Sequence, residues 1–328
     1  MSEAAPCLAG RRWVLPAAAA AVTLLSRLPF AADRLWDHDS VQFALAVADF
    51  DLAAHQPHPP GYPLWIGALK ALAAAGVSPL DGMVALAVLF QALGAALVVR
   101  VAARLAGERE GAAEAAPAGL LAAALFVTDP LIWFYGELPL VYGVEAGLTV
   151  VLAWAALGMA DGRRRFLAAC ALFGLAGGIR PSTLVLLAPL FLAGLSTAWR
   201  RGRRADRWRL GLGDLALGAA LGAAAVAAWL VPLVVAAGGW GEYRRIGGEH
   251  FAALLPHTSI LYGAGWPALA HNLEVLTKWA AQGLVPAGVV LVALAAARPR
   301  AVGPGLRLLA RRAGWIAVWA LPAVAFFA

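Results

Sequence analysis

The sequence predicts an all-α protein: a polytopic bundle of transmembrane helices, about nine crossings with the N-terminus inside, whose large first outer loop carries short surface helices. Three observations predict it. Hydrophobic residues make up 62% of the 328 and charged residues 14%, and the mean hydropathy is +0.75, far from the composition of a soluble domain. Apolar runs recur along the whole chain, many of them near the roughly 20 residues that a helix needs to cross a bilayer. Most of the 26 lysines and arginines fall in clusters at every second gap between these runs, and arginine resists translocation, so the clusters mark cytoplasmic loops. The net charge of +7 therefore reads as topology rather than as a nucleic-acid footprint.

The runs lie at 13–31, 81–104, 118–135, 138–160, the shorter 166–179 and 182–198, then 211–237, 272–297 and 314–328. The clusters are Arg11 and Arg12, Arg100 to Arg109, Arg163 to Arg165, Arg200 to Arg209, and Arg298 to Arg312. Placing all five inside leaves 32–80, 136–138, the break at Arg180 and 238–271 outside. The apolar stretch 62–76 is shorter than a span and reads as a re-entrant or surface-lying helix, since a tenth crossing there would invert every later loop. The first run reads either as a signal peptide, with Phe30-Ala31-Ala32 as its cleavage site, or as a span whose Arg27 snorkels to the outer interface. The chain 1–328 reads as one domain, with 32–80 its outer catalytic loop region. Its end, "WALPAVAFFA", lies inside an apolar run and predicts a missing C-terminal part. Cys7 and Cys170 build no disulfide framework.

The chemistry concentrates in "DHDSVQFALAVADFDLAAHQPHPPGYPLW", Asp37 to Trp65. A carboxylate at the outer membrane face can take a proton from a sugar or lipid hydroxyl, which makes Asp39 and Asp37 catalytic candidates. Val41, Ala44, Leu45 and Ala48 share one helical face, so Asp39 equally reads as the cap of a short amphipathic helix. Pro57, Pro59, Pro60 and Pro63 forbid a regular helix and predict a rigid strut. Held on it, His55 and His58 can donate to phosphate, ligate a metal or bond the backbone. Their spacing with Asp37, His38 and Asp39 matches no standard metal-ligand pattern.

This loop resembles the first outer loop of GT-C class membrane glycosyltransferases, in particular the bacterial branch akin to protein O-mannosyltransferases. The resemblance continues in "TDPLIWFYGELPLVYGVEA", Thr128 to Ala146, and "GLAGGIRPSTLVLLAPL", Gly174 to Leu190, and covers roughly residues 30–200. It implies that the first-loop acid is Asp39, with Asp37 second, that the His-Pro-Pro segment comprises His58, Pro59, Pro60, Gly61 and Tyr62, and that the second-loop acid is Glu137. It also implies a polyprenyl-phosphate-linked sugar as donor, a lipid, glycan or protein as acceptor, and transfer that inverts the anomeric centre. Such an enzyme works in the cytoplasmic membrane with its site facing outward.

Such a reaction asks for a greasy groove, cations for phosphate and a carboxylate base, and the residues offer all three. Arg180, at membrane depth between Gly178 and Pro181, needs a partner: either donor phosphate or a salt bridge to Glu137 or Glu145. Glu145 is expected inside the bundle, orienting Tyr142 three residues earlier. Asp129 reads as a helix end. Arg244 and Arg245, with His250 and His257, read either as contacts to donor phosphate or acceptor or as an ordinary solvated loop. No cofactor is legible, and a divalent cation stays an open alternative. The competing function is a transporter or flippase of an amphiphile, which would place its ionisable residues near the membrane midplane; a truncated, catalytically inactive relative is a third.

Overall fold

In the computed structural model, which describes residues 5–106, 115–202, 208–259, 262–297 and 313–319, regular structure is helical and no strand forms among those residues. Twelve helices are named here: α1 (Ala5–Arg27), α2 (His38–Ala48), α3 (Pro63–Ala74), α4 (Pro79–Leu105), α5 (Ala115–Thr128), α6 (Pro130–Glu137), α7 (Val141–Gly158), α8 (Arg163–Ile179), α9 (Ser182–Gly202), α10 (Leu212–Ala236), α11 (Trp240–Thr258) and α12 (Gly265–Ala297).

Six stretches are long and apolar enough to cross a membrane: Trp13–Phe30, Pro79–Leu105, Val141–Asp161, Ser182–Arg200, Leu212–Ala236 and Gly265–Ala297. The pair Ala118–Thr128 and Pro130–Glu137, bent by 55° at Asp129, makes a seventh if it counts as one span. The two other crossings expected from the sequence are 166–179, which lies in the 17-residue α8 with three arginines in its first turn, and 314–328, of which residues 320–328 lie outside the described residues. The cluster Arg298 to Arg312 lies outside them too, as do 203–207 and 107–109 of two other clusters. Exposed Leu212, Val231 and Val235 on α10, and Leu284, Val285, Val289 and Val292 on α12, are faces that suit lipid rather than water. These helices fit a multi-pass membrane protein.

The chain folds into two compact units, each drawn from separated stretches. The first comprises 1–33, 84–154 and 281–314. Here α4 and α7 approach backbone to backbone: a Cβ on Gly94 would sit 2.9 Å from the Gly147 Cα, so small residues are what permit the contact. At one end of this unit the Arg100 guanidinium lies 4.5 Å over the Trp13 ring and 5.6 Å over Trp154. At the other, Arg27 is 1% exposed. It does not snorkel as the sequence suggested; the interior supplies its partners. Its Nε donates to Gln91 Oε1 at 3.3 Å, Nη2 to the Val127 carbonyl at 2.8 Å and Nη1 to Ser26 Oγ at 2.8 Å, with Glu137 as opposing charge. The Gln91 amide in turn donates to the Ile132 carbonyl.

The second unit comprises 34–83, 155–280 and 315–328. Its spine is α8 packed parallel to α10. Phe166 and Cys170 face Gly218, Gly174 faces Gly222, and the Trp229 indole N–H donates to the Gly174 carbonyl at 2.9 Å. Helix α3 rests on both, burying Trp65, Ile66 and Leu69. Pro63, expected to bar a helix, begins this one instead, because the first helical position needs no backbone N–H. The segment His55 to Tyr62 meets the C-terminal part of α10 at Leu233, and its His58 lies within electrostatic reach of Arg180, which follows α8. Gly61, at φ +110°, leaves no room for a side chain, since a Cβ would meet Leu233 Cδ1 at 2.7 Å.

Candidate active site

The site is built at that end of the second unit, beginning with α2. Asp37, not Asp39, caps the helix: its Oδ1 accepts from the Ser40 N–H at 3.1 Å, and Ser40 Oγ accepts from the Asp37 N–H at 3.1 Å. The correction has a simple cause, a reciprocal box that uses Asp37 and the hydroxyl three residues on. Asp39 is thereby left in the first turn, with its side chain on the flank that meets the proline strut.

There it meets His58. Asp39 Oδ1 lies 3.7 Å from His58 Nδ1. The imidazole is gripped on both nitrogens, with Nδ1 2.7 Å from Gln42 Oε1 and Nε2 2.9 Å from the Tyr62 hydroxyl. A glutamine Oε1 only accepts, so Nδ1 carries the proton and Nε2 accepts from Tyr62. Gln42 passes the chain on, its amide N–H donating to His38 Nε2 at 2.8 Å. Tyr62, 5% exposed, holds left-handed backbone at φ 50°, an uncommon conformation for an aromatic residue.

Three more groups close on the imidazole. His250 of α11 stacks on it with centroids 6.3 Å apart, and His55, also at positive φ, meets His250 edge-on at 5.3 Å. Arg180, the residue that ends α8, lies near enough for its charge to act on His58. Burial pushes the His58 pKa below the ordinary histidine value; Asp39 opposes that shift, while His250, Arg180 and His55 add to it. Burial also lowers His250, with His55 contributing. Burial thus favours the neutral form of His58 and of His250 beside one carboxylate and one guanidinium.

The other candidates lie elsewhere. Glu137 ends α6 in the first unit, where its opposing charge is Arg27 rather than the expected Arg180; one oxygen, Oε1, is buried without a hydrogen bond. Tyr142 packs edge-on against Tyr135 at 5.3 Å, and Glu145 is half-buried rather than enclosed. Asp129 caps α6, accepting from Leu131 and Ile132. Arg244 and Arg245 stand exposed on α11, a helix where the sequence suggested a loop. Arg245 is engaged by Glu242 and Glu249 one turn away on either side. His257 is exposed, so His250 alone of that group reaches the site. Among the described residues, no three His, Cys, Asp or Glu side chains are placed to hold a metal ion. Sequence reasoning missed Gln42, whose signal was a lone amide three residues after Asp39 in an apolar helix.

Residues 39–203 match the family model described as the protein O-mannosyl-transferase TMEM260 N-terminal domain. The chain belongs to this family. The matched region begins at Asp39 and holds Gln42, His55, His58, Tyr62, Glu137, Tyr142, Glu145 and Arg180; Asp37, His250, Arg244 and Arg245 fall outside it. The family's description is that of a glycosyltransferase, which implies a sugar donor and an acceptor in broad terms. No curated protein and no solved structure matches the chain.

Proposed function

We propose that the protein is a GT-C type glycosyltransferase that moves a sugar from a polyprenyl-phosphate donor to an acceptor hydroxyl, with inversion, at the outer face of a bacterial cytoplasmic membrane. The observation that carries this is the position of Asp39, 3.7 Å from an imidazole that is fixed on its other nitrogen. A carboxylate held beside neutral hydrogen-bonding groups and one guanidinium suits a step in which a proton leaves an alcohol while negative charge builds on a phosphate.

In that step Asp39 takes the proton of the acceptor hydroxyl, whose oxygen attacks the anomeric carbon. The bond from that carbon to the phosphate oxygen breaks, and its electron pair leaves with the polyprenyl phosphate. Arg180 is the group best suited to the phosphate, since a guanidinium forks onto two oxygens. His55, His58 and His250 stand beside it, and the apolar helix faces take the lipid tail. Nine crossings with all arginine clusters inside put 32–80 and 238–271 outward, where a lipid, glycan or protein acceptor arrives. The parallel course of α8 and α10, with Arg180 at the end remote from Arg163, supports that arrangement.

The second reading, a transporter or flippase of an amphiphile, draws on one feature: the bent pair α5 and α6, which ends on Glu137 near the buried Arg27. The two separate in one assay. Full-length protein in liposomes is given a panel of radiolabelled polyprenyl-phosphate sugars, and mannose is the first to try because of the family's name. Label leaving the lipid for an acceptor supports the transferase; label that changes leaflet while staying on its lipid supports the transporter.

A further inference from the structure

Gln42 is 6% exposed on a helix whose other inward side chains include Phe43 and Ala46. A buried amide must be satisfied, and this one is satisfied by two histidines: its N–H donates to His38 and its Oε1 accepts from His58 Nδ1 at 2.7 Å. Asp39, one turn back on the same helix, lies 3.7 Å from that same Nδ1. Two acceptors thus compete for one imidazole proton, and the neutral one has it. The result runs against electrostatics, because a carboxylate is the stronger acceptor. The amide holds its place because His38 fixes it from behind and Tyr62 fixes the ring from the far side.

We propose that Gln42 is a positioning residue that holds the His58 proton away from Asp39, so that the carboxylate is not spent on the imidazole and can take a proton from an incoming hydroxyl. The second half rests on the reading of Asp39 as the base; the first half stands on geometry alone. If Gln42 were removed, His58 would turn its Nδ1–H onto Asp39. The new charge-assisted pair would favour the protonated imidazole and weaken the carboxylate as a base. The groups that face His58 are Asp39 from α2, Tyr62 and His55 from the strut, Arg180 from the end of α8 and His250 from α11. All of these remain in place in every variant below except Asp39, which is varied on purpose.

The test is a titration cycle on the full chain in nanodiscs, with nitrogen-15 histidine and with His58 assigned by the signal lost in His58→Gln. The His58 midpoint is read in the parent, Asp39→Asn, Gln42→Met and the double variant. Removing Asp39 should lower the midpoint by more in the Met background than in the parent, the excess being about one pH unit, tenfold in the dissociation constant. Equal shifts in the two backgrounds overturn the proposal. A purely structural role for Gln42 would leave this difference at zero. If Gln42→Met does not fold, Gln42→Asn, which keeps an amide but shortens its reach, carries the same cycle. In transfer assays Gln42→Met should lower kcat roughly 10- to 100-fold while donor KM holds, and an unchanged kcat overturns the catalytic half. A parent that transfers no sugar from any donor sinks the proposed function, while the titration still decides where the proton sits.

Discussion

His58 ties the site to pH. Burial, joined by His250, Arg180 and His55, holds its pKa below the ordinary value of about 6.5, so the unfolded chain binds this proton more readily than the folded one. The stabilising contribution of the neutral ring is complete above about pH 6.5 and is lost as pH falls through the folded-state value. Thermal stability of the parent in detergent should decline on acidification through this window, and His58→Gln should flatten the decline. Arg27 makes a second residue-scale case. Arg27 is buried, and removing its guanidinium strands the Gln91, Val127 and Ser26 oxygens that accept from it and the nearby Glu137 charge, so Arg27→Leu should cost about 1 to 3 kcal/mol. Adding Glu137→Gln should restore part of that loss, as unfolding in detergent would show. Strict additivity of the two changes would mean that the pair is not coupled.

At the scale of elements, α2 assigns separate tasks to two acids that sit two residues apart. Asp37 closes the capping box with Ser40, so Asp37→Ala should destabilise by about 1 kcal/mol and Asp37→Asn by almost nothing, with transfer unchanged by Asn. A large loss of transfer from Asp37→Asn would show that this acid does more than cap. The sequence made the elements legible where they are long: α4, α10 and the later part of α12 stand where their apolar runs predicted them. It misplaced the cap because a capping box can be written for either acid until the hydroxyl partner is known. It also read Arg244 and Arg245 as loop residues, because the first half of α11 has no continuous apolar run to announce it and mixes glycines with charges; Arg245 is held by glutamates within one turn instead. The proline strut, Asp39, His58 and Arg180 were all legible. Gln42 was not, and His250 was read only together with Arg244, Arg245 and His257, because what singles out the two is contact with His58 across the fold, and no local pattern encodes that.

For the whole molecule, the arrangement of crossings is open to direct test. With Cys7 and Cys170 replaced by serine, the exposed Ala53 becomes cysteine in one variant and Ala205, within the Arg200 to Arg209 cluster, in another. An impermeant maleimide on intact spheroplasts should label Ala53→Cys and spare Ala205→Cys, because positive clusters stay inside; the reverse pattern would invert the topology. The central claim, that Asp39 removes the acceptor proton, is tested most directly by the rate of sugar transfer by Asp39→Asn in protein shown to insert and to bind donor. Asparagine keeps the shape and removes the charge, so transfer should fall by roughly 10² to 10⁴, about 3 to 5 kcal/mol, with donor affinity preserved. Transfer near the parental rate would contradict the claim.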